Sequence, residues 1–424
     1  MTPGATPTTS VTASDRSETP SAKATVTVSN RARAMQASPL RKLAALAEAR
    51  KKQGIKVYLL NIGQPDLPTD PAVFDAIKNL ELKTIAYAPS NGMPAAVSAW
   101  TRYLAGAGIA VEESEIIVTT GGSEAIIFAM CAVADAGDEI LVFEPFYTNY
   151  NGFATLSNVV LRPVSLSITN GFHLPPIEEI ESRITSRTKA ILICNPNNPT
   201  GTIYSREELQ RLVTLSLKHN LFLMADEVYR EFAYDAPFTS VMSFSEIRDR
   251  AILLDSSSKR FNVCGARIGA IVSHNNDVIQ TALKFAMARL SVATIEQLSL
   301  VPLLESPAPY TGPIVAEFRK RRDVVYEGLR DIPGLTYYKP EGAFYIIIGL
   351  PIKDSEHFAK WLVEEFEDGK ETVLLAPAQG FYASAGKGTN EIRLAFMLNS
   401  KDLSRSVEIL KKGLAEYTRR GFAN

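Results

Sequence analysis

Short apolar runs recur along the chain from about residue 85 and alternate with stretches whose apolar positions repeat every three or four residues. The runs at 115–120 (EIIVTT), 141–143 (LVF), 189–194 (KAILIC), 221–225 (LFLMA), 251–254 (AILL) and 268–272 (IGAIV) predict buried strands. Strands separated by helical stretches predict an α/β fold, a mostly parallel sheet with helices on its faces. Before this region, Ser38 and Pro39 predict the start of a helix with Leu40, Leu43, Ala44 and Ala47 on one face and Gly54 as its stop. A strand is expected at 57–60. Near the other end, Leu403, Val407, Leu410 and Leu414 mark a closing amphipathic helix.

Polar or glycine clusters stand just after five of the predicted strands: GGSE at 121–124, EPFY at 144–147, NPNNPTG at 195–201, DEVY at 226–229 and SSSKR at 256–260. Ligands of open α/β sheets bind beyond the carboxyl ends of the strands, so the five clusters are expected to converge on one crevice. The glycines and Ser123 open the helical run at 125–130, where free backbone N–H groups and the helix dipole suit an anion. Lys259, held against a partly desolvated site, has an amine able to attack a carbonyl, and Arg267 adds a fixed cation. At an ordinary strand-to-helix joint Asp226 would be a helix N-cap. The expected ligand carries a phosphate, an aromatic face and a carbonyl. Gly63, between an apolar run and the turn at Pro65, permits close approach of a ligand to the backbone.

Composition narrows the class. With 424 residues, 46% hydrophobic and 21% charged, the chain is long enough for two domains. A net charge of −1 argues against nucleic acid or an anionic membrane as partner. Cys131, Cys194 and Cys264 suit a reducing compartment, the cytoplasm, better than a disulfide framework. His173, His219, His274 and His357 match no zinc spacing and are expected at the surface or in loops; no metal is implied. The Ser/Thr-rich start, broken by Pro3, Pro7 and Pro20, predicts a disordered tail over 1–34. It lacks the apolar segment of a secretory signal, and Asp15 and Glu18 weigh against a transit peptide.

GGSEA, NPNNPTG, DEVY and SSSK followed by Arg267, in this order, resemble the class I and II aminotransferases of the fold-type I pyridoxal phosphate enzymes, and the aspartate aminotransferase group in particular. The resemblance runs from about residue 35 to the end. It implies a large cofactor domain at 61–305 and a smaller α+β domain at 306–424, against which 35–60 packs. It further implies that pyridoxal 5'-phosphate forms a Schiff base with Lys259, which then serves as the base that moves the α-proton. Asp226 would face the pyridine nitrogen. Asn198 and Tyr229 would hydrogen-bond the phenolic oxygen, and Tyr147 would stack on the ring where tryptophan is common. The phosphate would rest on Gly122, Ser123 and Glu124, with Ser256, Ser258 and Arg267. Arg393, in NEIRLAF at 390–396, would clamp the substrate α-carboxylate beside Gly63 and Asn198. Tyr87 resembles the tyrosine that reaches the phosphate of a neighbouring subunit, which implies a homodimer with shared active sites.

The reaction implied is ping-pong exchange between an amino acid, aspartate or glutamate by resemblance, and a 2-oxo acid such as 2-oxoglutarate. The same site could serve a β-lyase, a decarboxylase or a cyclopropane-forming synthase, and less readily a cofactor-sensing regulator, for which the tail offers no DNA-binding helices. No second arginine is plainly placed for a distal carboxylate. Arg289 is a candidate from a partner subunit and equally an ordinary helix-end arginine. The chain also has GMPAAV at 92–97 where the family often has a Gly-x-Pro-Glu-Leu-Arg run.

Overall fold

The computed structural model describes residues 26–36 and 43–423, in two compact units divided after Met35. In the first unit the helix Asn30–Ala34 makes a single turn, capped where Ala32 N donates to Ser29 Oγ at 3.1 Å. Disorder was expected through residue 34, so this turn departs from the expectation; residues 1–25 lie outside the described residues. The helix start at Ser38 and Pro39, with Leu40, lies outside them too.

The second unit contains thirteen strands among its described residues: β1 (Lys56–Leu59), β2 (Ile116–Thr120), β3 (Glu139–Glu144), β4 (Val160–Ser165), β5 (Thr188–Cys194), β6 (Phe222–Asp226), β7 (Ala251–Ser256), β8 (Ile268–Val272), β9 (Thr336–Tyr337), β10 (Tyr345–Gly349), β11 (Glu371–Leu374), β12 (Ala376–Pro377) and β13 (Glu391–Ala395). Seven make one sheet in the order β2-β8-β7-β6-β5-β3-β4. Strands β4, β3, β5, β6 and β7 are parallel, and β8 runs antiparallel between β7 and β2. No crossover helix separates β7 from β8, so the chain turns back after the Lys259 segment and re-enters the sheet in the opposite direction. Strands β3, β7 and β8 are buried along their whole length, as expected of runs that are apolar on both faces.

The helix after β2 spans Gly121–Val133 and begins at the first glycine itself, where a glycine turn was expected to come first. Gly269 on β8 explains how it fits. A Cβ there would stand 2.6 Å from both Asp255 O and Gly121 C, so a bare backbone lets the helix N-terminus settle directly on the sheet. The helix Ala44–Lys52 buries Leu43 and Ala47 as expected, but Ala44 faces outward.

Two smaller sheets accompany it: β1, from early in the chain, pairs in parallel with β11, and β12-β13-β10-β9 form an antiparallel sheet. Arg393 sits in the middle of β13, opposite Ile347 of β10 and Ala376 of β12. The closing helix Ser400–Arg419 buries Leu403, Val407, Leu410 and Leu414. Among the described residues, no helix is long and apolar enough to cross a membrane.

Gly269→Ala is expected to push the helix off the sheet and to destabilise the protein by about 1–3 kcal/mol, the usual range for overpacking. Urea unfolding at fixed protein concentration measures it; an unchanged midpoint would show that the backbone contact at Gly269 is slack.

Candidate active site

The carboxyl ends of β2, β3, β5, β6 and β7 open onto one cavity of about 420 Å³, a volume suited to a small ligand. Gly122 and Ser123 line it after β2, and Tyr147 after β3. Asn198 follows β5; Asp226 and Tyr229 come at the end of β6; Ser256, Ser258 and Lys259 come at the end of β7. Arg267, Gly63 and Arg393 complete the wall. Two expected residues stand apart. The side chain of Glu124 folds back on its own helix, accepting from Thr120 N at 2.8 Å and pairing with Arg289 Nε at 3.3 Å. Tyr87 is 81% exposed and does not line the cavity.

Lys259 Nζ donates to Gly63 O at 2.9 Å and lies 3.9 Å from Cys264 Sγ. The next residue, Arg260, points the opposite way into a buried ion cluster, paired with Asp255, whose other oxygen meets Arg230 at 3.1 Å. A guanidinium held by buried carboxylates anchors the backbone beside Lys259 and leaves the amine facing the cavity.

Asp226 ends β6 with no helix after it, so it is not an N-cap. Its Oδ2 accepts from Tyr150 Oη at 2.8 Å, while Oδ1 is buried without a partner. Burial pushes its pKa from the ordinary 3.8 up to about 6, against the lowering effect of the Tyr150 hydrogen bond. A buried carboxylate oxygen with nothing to accept is a vacancy for a donor, and a cationic one suits it best.

Ser256, Ser258 and Arg267 gather near the start of the Gly121–Val133 helix. Ser256 Oγ donates to Ser258 Oγ at 2.8 Å, and Arg267 Nη1 is 3.5 Å from Ser258 Oγ and 3.0 Å from Cys264 O. Thr120, the helix N-cap residue, offers no side-chain cap, so the first N–H groups face this cluster uncapped. Uncapped N–H groups, hydroxyls and a guanidinium together make an anion site. Gly121, at φ +71°, leaves the space that the Arg267 guanidinium occupies.

Arg393 is 1% exposed. Nη1 donates to Asn198 Oδ1 at 3.2 Å and Nη2 to Asn61 O at 2.6 Å, with Nε unpartnered. Its plane lies 4.5 Å from the Tyr345 ring centroid and 4.9 Å from that of Phe381. Burial holds its pKa below the usual guanidinium range.

Tyr150, Tyr345 and Cys264 went unremarked in the sequence as site residues. Tyr345 Oη is 3.0 Å from Tyr229 Oη, which accepts from Asn198 Nδ2 at 3.4 Å, and a Cβ on Gly63 would strike the Tyr345 hydroxyl. Burial raises the Tyr229 phenol well above its ordinary value and that of Tyr147 to about 12. Tyr150 lies in the helix Asn149–Ser157 among other aromatics, and no local signal marks it out. Each of the four histidines has a protein partner: Glu208, Glu181, Glu115 and Tyr417 for His173, His219, His274 and His357 respectively. Among the described residues no cluster suits a metal ion. Arg289 ends its helix and, besides Glu124, donates to Val118 O at 3.1 Å, so within its own chain it serves a structural contact.

The aminotransferase class I and II family profile matches residues 55–410. The aspartate aminotransferase of Thermotoga maritima is 30% identical over 394 residues, covering 90% of this chain and 97% of that protein. The aspartate/prephenate aminotransferase of Thermus thermophilus is 29% identical with the same coverage. The solved Thermotoga maritima enzyme superposes with a TM-score of 0.84 at 29% identity, covering 92% of this chain and 100% of that one. The alanine aminotransferase of Pyrococcus furiosus reaches 0.83 at 26% identity, again over 92% and 100%. The chain therefore belongs to the class I and II aminotransferases, enzymes of α/β fold that transfer amino groups with pyridoxal 5'-phosphate.

Proposed function

We propose that the protein exchanges an amino group between a dicarboxylic amino acid, aspartate or glutamate, and a 2-oxo acid such as 2-oxoglutarate, by a ping-pong mechanism at the cavity around Lys259. The observation that carries this reading is one cavity wall holding the Lys259 amine, the partnerless Asp226 oxygen and the buried Arg393 guanidinium. The residues fit the cofactor. Its phosphate suits the uncapped helix start with Ser256, Ser258 and Arg267, and its pyridine nitrogen suits Asp226 Oδ1. Tyr147 offers a ring face, and Asn198 and Tyr229 offer donors for the phenolic oxygen. When bound, pyridoxal phosphate supplies the electron sink that stabilises negative charge at the substrate α-carbon.

The chain's own residues do the rest. Arg393 takes the α-carboxylate in a bidentate grip, its Nε and Nη atoms already desolvated and aimed. Lys259 Nζ, resting on Gly63 O, is placed to take the α-proton and to hold it for return. Asp226, once ionised, keeps a proton on the pyridine nitrogen.

The dicarboxylic donor is supported by the aspartate aminotransferases among the relatives. Among the described residues, the cations lining the cavity are Lys259, Arg267 and Arg393, so a distal carboxylate would meet neutral donors such as Gln64 and Asn149, or a partner subunit. A homodimer is supported by the exposed Tyr87 and the exposed apolar residues Phe74, Ile77, Leu82 and Ile85 near it in sequence. Free thiols throughout suit the cytoplasm.

Borohydride treatment should fix the cofactor covalently to Lys259, and peptide mapping would refute the assignment by finding the label elsewhere. Lys259→Ala should bind cofactor and lose turnover by roughly 10²- to 10⁴-fold, the usual worth of a positioned base. Half-reactions with a panel of amino acids, alanine included, read the donor from the change in absorbance. Arg393→Ala should raise KM for every amino acid alike, by about a hundredfold for the loss of a buried charge partner. A loss confined to acidic donors would move Arg393 to the side-chain pocket.

Asp226 sets a pH dependence. Its folded pKa is raised, so in the cofactor-free protein its contribution to stability is present below pH 3.8 and is lost as pH rises through about 6. Cofactor affinity should run the other way, because the ionised carboxylate is the form that meets a protonated ring nitrogen. Equilibrium titration should show affinity falling about tenfold per pH unit below 6. Asp226→Asn should abolish that slope, and a slope that survives in this variant would exclude Asp226 as its source.

A further inference from the structure

Arg321 lies on the helix Ala308–Leu329, outside the cavity lining, and is 2% exposed. Its guanidinium joins parts of the chain that are distant in sequence. Nη1 donates to Asp66 Oδ1 at 2.6 Å and also to the carbonyl of Met397, and Nε donates to Glu317 Oε1 at 2.8 Å. Its plane rests 5.1 Å from the Phe318 ring centroid.

Both long-range partners lead to Arg393. Asp66 ends the segment 61–66, in which Asn61 O accepts from Arg393 Nη2 at 2.6 Å and Gly63 O accepts from Lys259 Nζ at 2.9 Å. Met397 lies just beyond β13, the strand that carries Arg393. A backbone bond, Ala395 N to Leu60 O at 2.8 Å, joins the residue just before the segment 61–66 to the end of β13. Arg393 Nη2 on Asn61 O ties the near end of that segment to β13, and the buried, forked cation of Arg321 fixes its far end at Asp66.

We propose that Arg321 is a positioning residue for the substrate α-carboxylate: by tying Asp66 to the Met397 carbonyl it holds the Asn61 carbonyl in register with Arg393, and so orients the guanidinium that receives the substrate. This rests on the reading of Arg393 as the carboxylate clamp. Arg321 touches neither substrate nor cofactor and acts through the segment 61–66. A pair that only cemented the helix in place would affect overall stability and leave substrate affinity alone.

The test uses the cofactor-loaded enzyme with Asp66→Asn, Arg321→Lys and Arg321→Gln. Asp66 is partly exposed, so Asp66→Asn should fold normally. It should raise KM about tenfold for amino acids and 2-oxo acids alike, the scale of one charge-assisted hydrogen bond. An α-methyl amino acid, which has no α-proton to lose, should bind more weakly by the same factor in a spectral titration. Cofactor affinity should stay within about twofold, since the phosphate cradle is not touched, and kcat should change less than KM, since the tether reaches Lys259 only through the Gly63 carbonyl on which it rests. Arg321→Lys should recover part of the loss seen in Arg321→Gln, and Asp66→Asn should add nothing in the Arg321→Gln background. An unchanged KM in folded Asp66→Asn overturns the proposal, as do additive effects of the two substitutions or a fall in kcat and cofactor affinity together. If Arg393→Ala itself leaves KM unchanged, the clamp reading fails first; if it raises KM while Asp66→Asn does not, only the role of Arg321 is lost.

Discussion

A buried cation met only by neutral groups is the constraint around which the site is built. The Arg393 guanidinium is desolvated, and the groups that receive it are an asparagine oxygen, a backbone carbonyl and two aromatic faces. Holding a charge in that state is unfavourable until an anion of matching shape arrives, and the cost is carried by the folded protein as a whole. The hydrogen bonds of the guanidinium draw on three separate parts of the chain. β13 supplies the arginine, the segment 61–66 supplies Asn61, and the loop after β5 supplies Asn198.

Asp226, lining the same cavity, meets the same problem with the other sign. Asp226 sits in a low-dielectric floor with one oxygen satisfied by Tyr150 and the other open, so burial raises its pKa until a cationic partner is supplied. Lys259 faces the cavity because its neighbour faces away: Asp255 draws Arg260 into the buried ion cluster, and that burial fixes the exposure of the residue before it. The antiparallel return of β8 completes this arrangement. It brings Gly269 under the Gly121–Val133 helix and Arg267 up beside Ser258, so the anion site and the lysine share one turn of chain.

Much of this was legible in one dimension. The apolar runs marked six of the seven strands of the large sheet, because strands buried on both faces cannot tolerate polar interruptions; β4, a half-exposed edge strand, carries no such run. The clusters after them marked the cavity because a parallel sheet delivers its carboxyl ends to one edge. The helix before Gly54 was less legible. Ala44 falls in the apolar repeat yet faces outward, since a single methyl group adds too little buried area to fix a helix's rotation. Glu124 is a similar case: its position at a helix start suited the anion site, and its side chain instead reaches back to Thr120 N and Arg289.

The sequence by itself determined the strand-and-helix alternation and the chemistry gathered around Lys259, because these depend on local periodicity and on short motifs. It could not reveal that β8 runs backwards, that Tyr150 meets Asp226, or that Tyr345 closes over Gly63. Nor could it show that Arg321 joins Asp66 to the end of β13. Each of these depends on residues tens to hundreds of positions apart meeting within hydrogen-bond range. Only the closing of the tertiary structure decides such meetings, because they are set by which surfaces pack and which buried charges must then be answered.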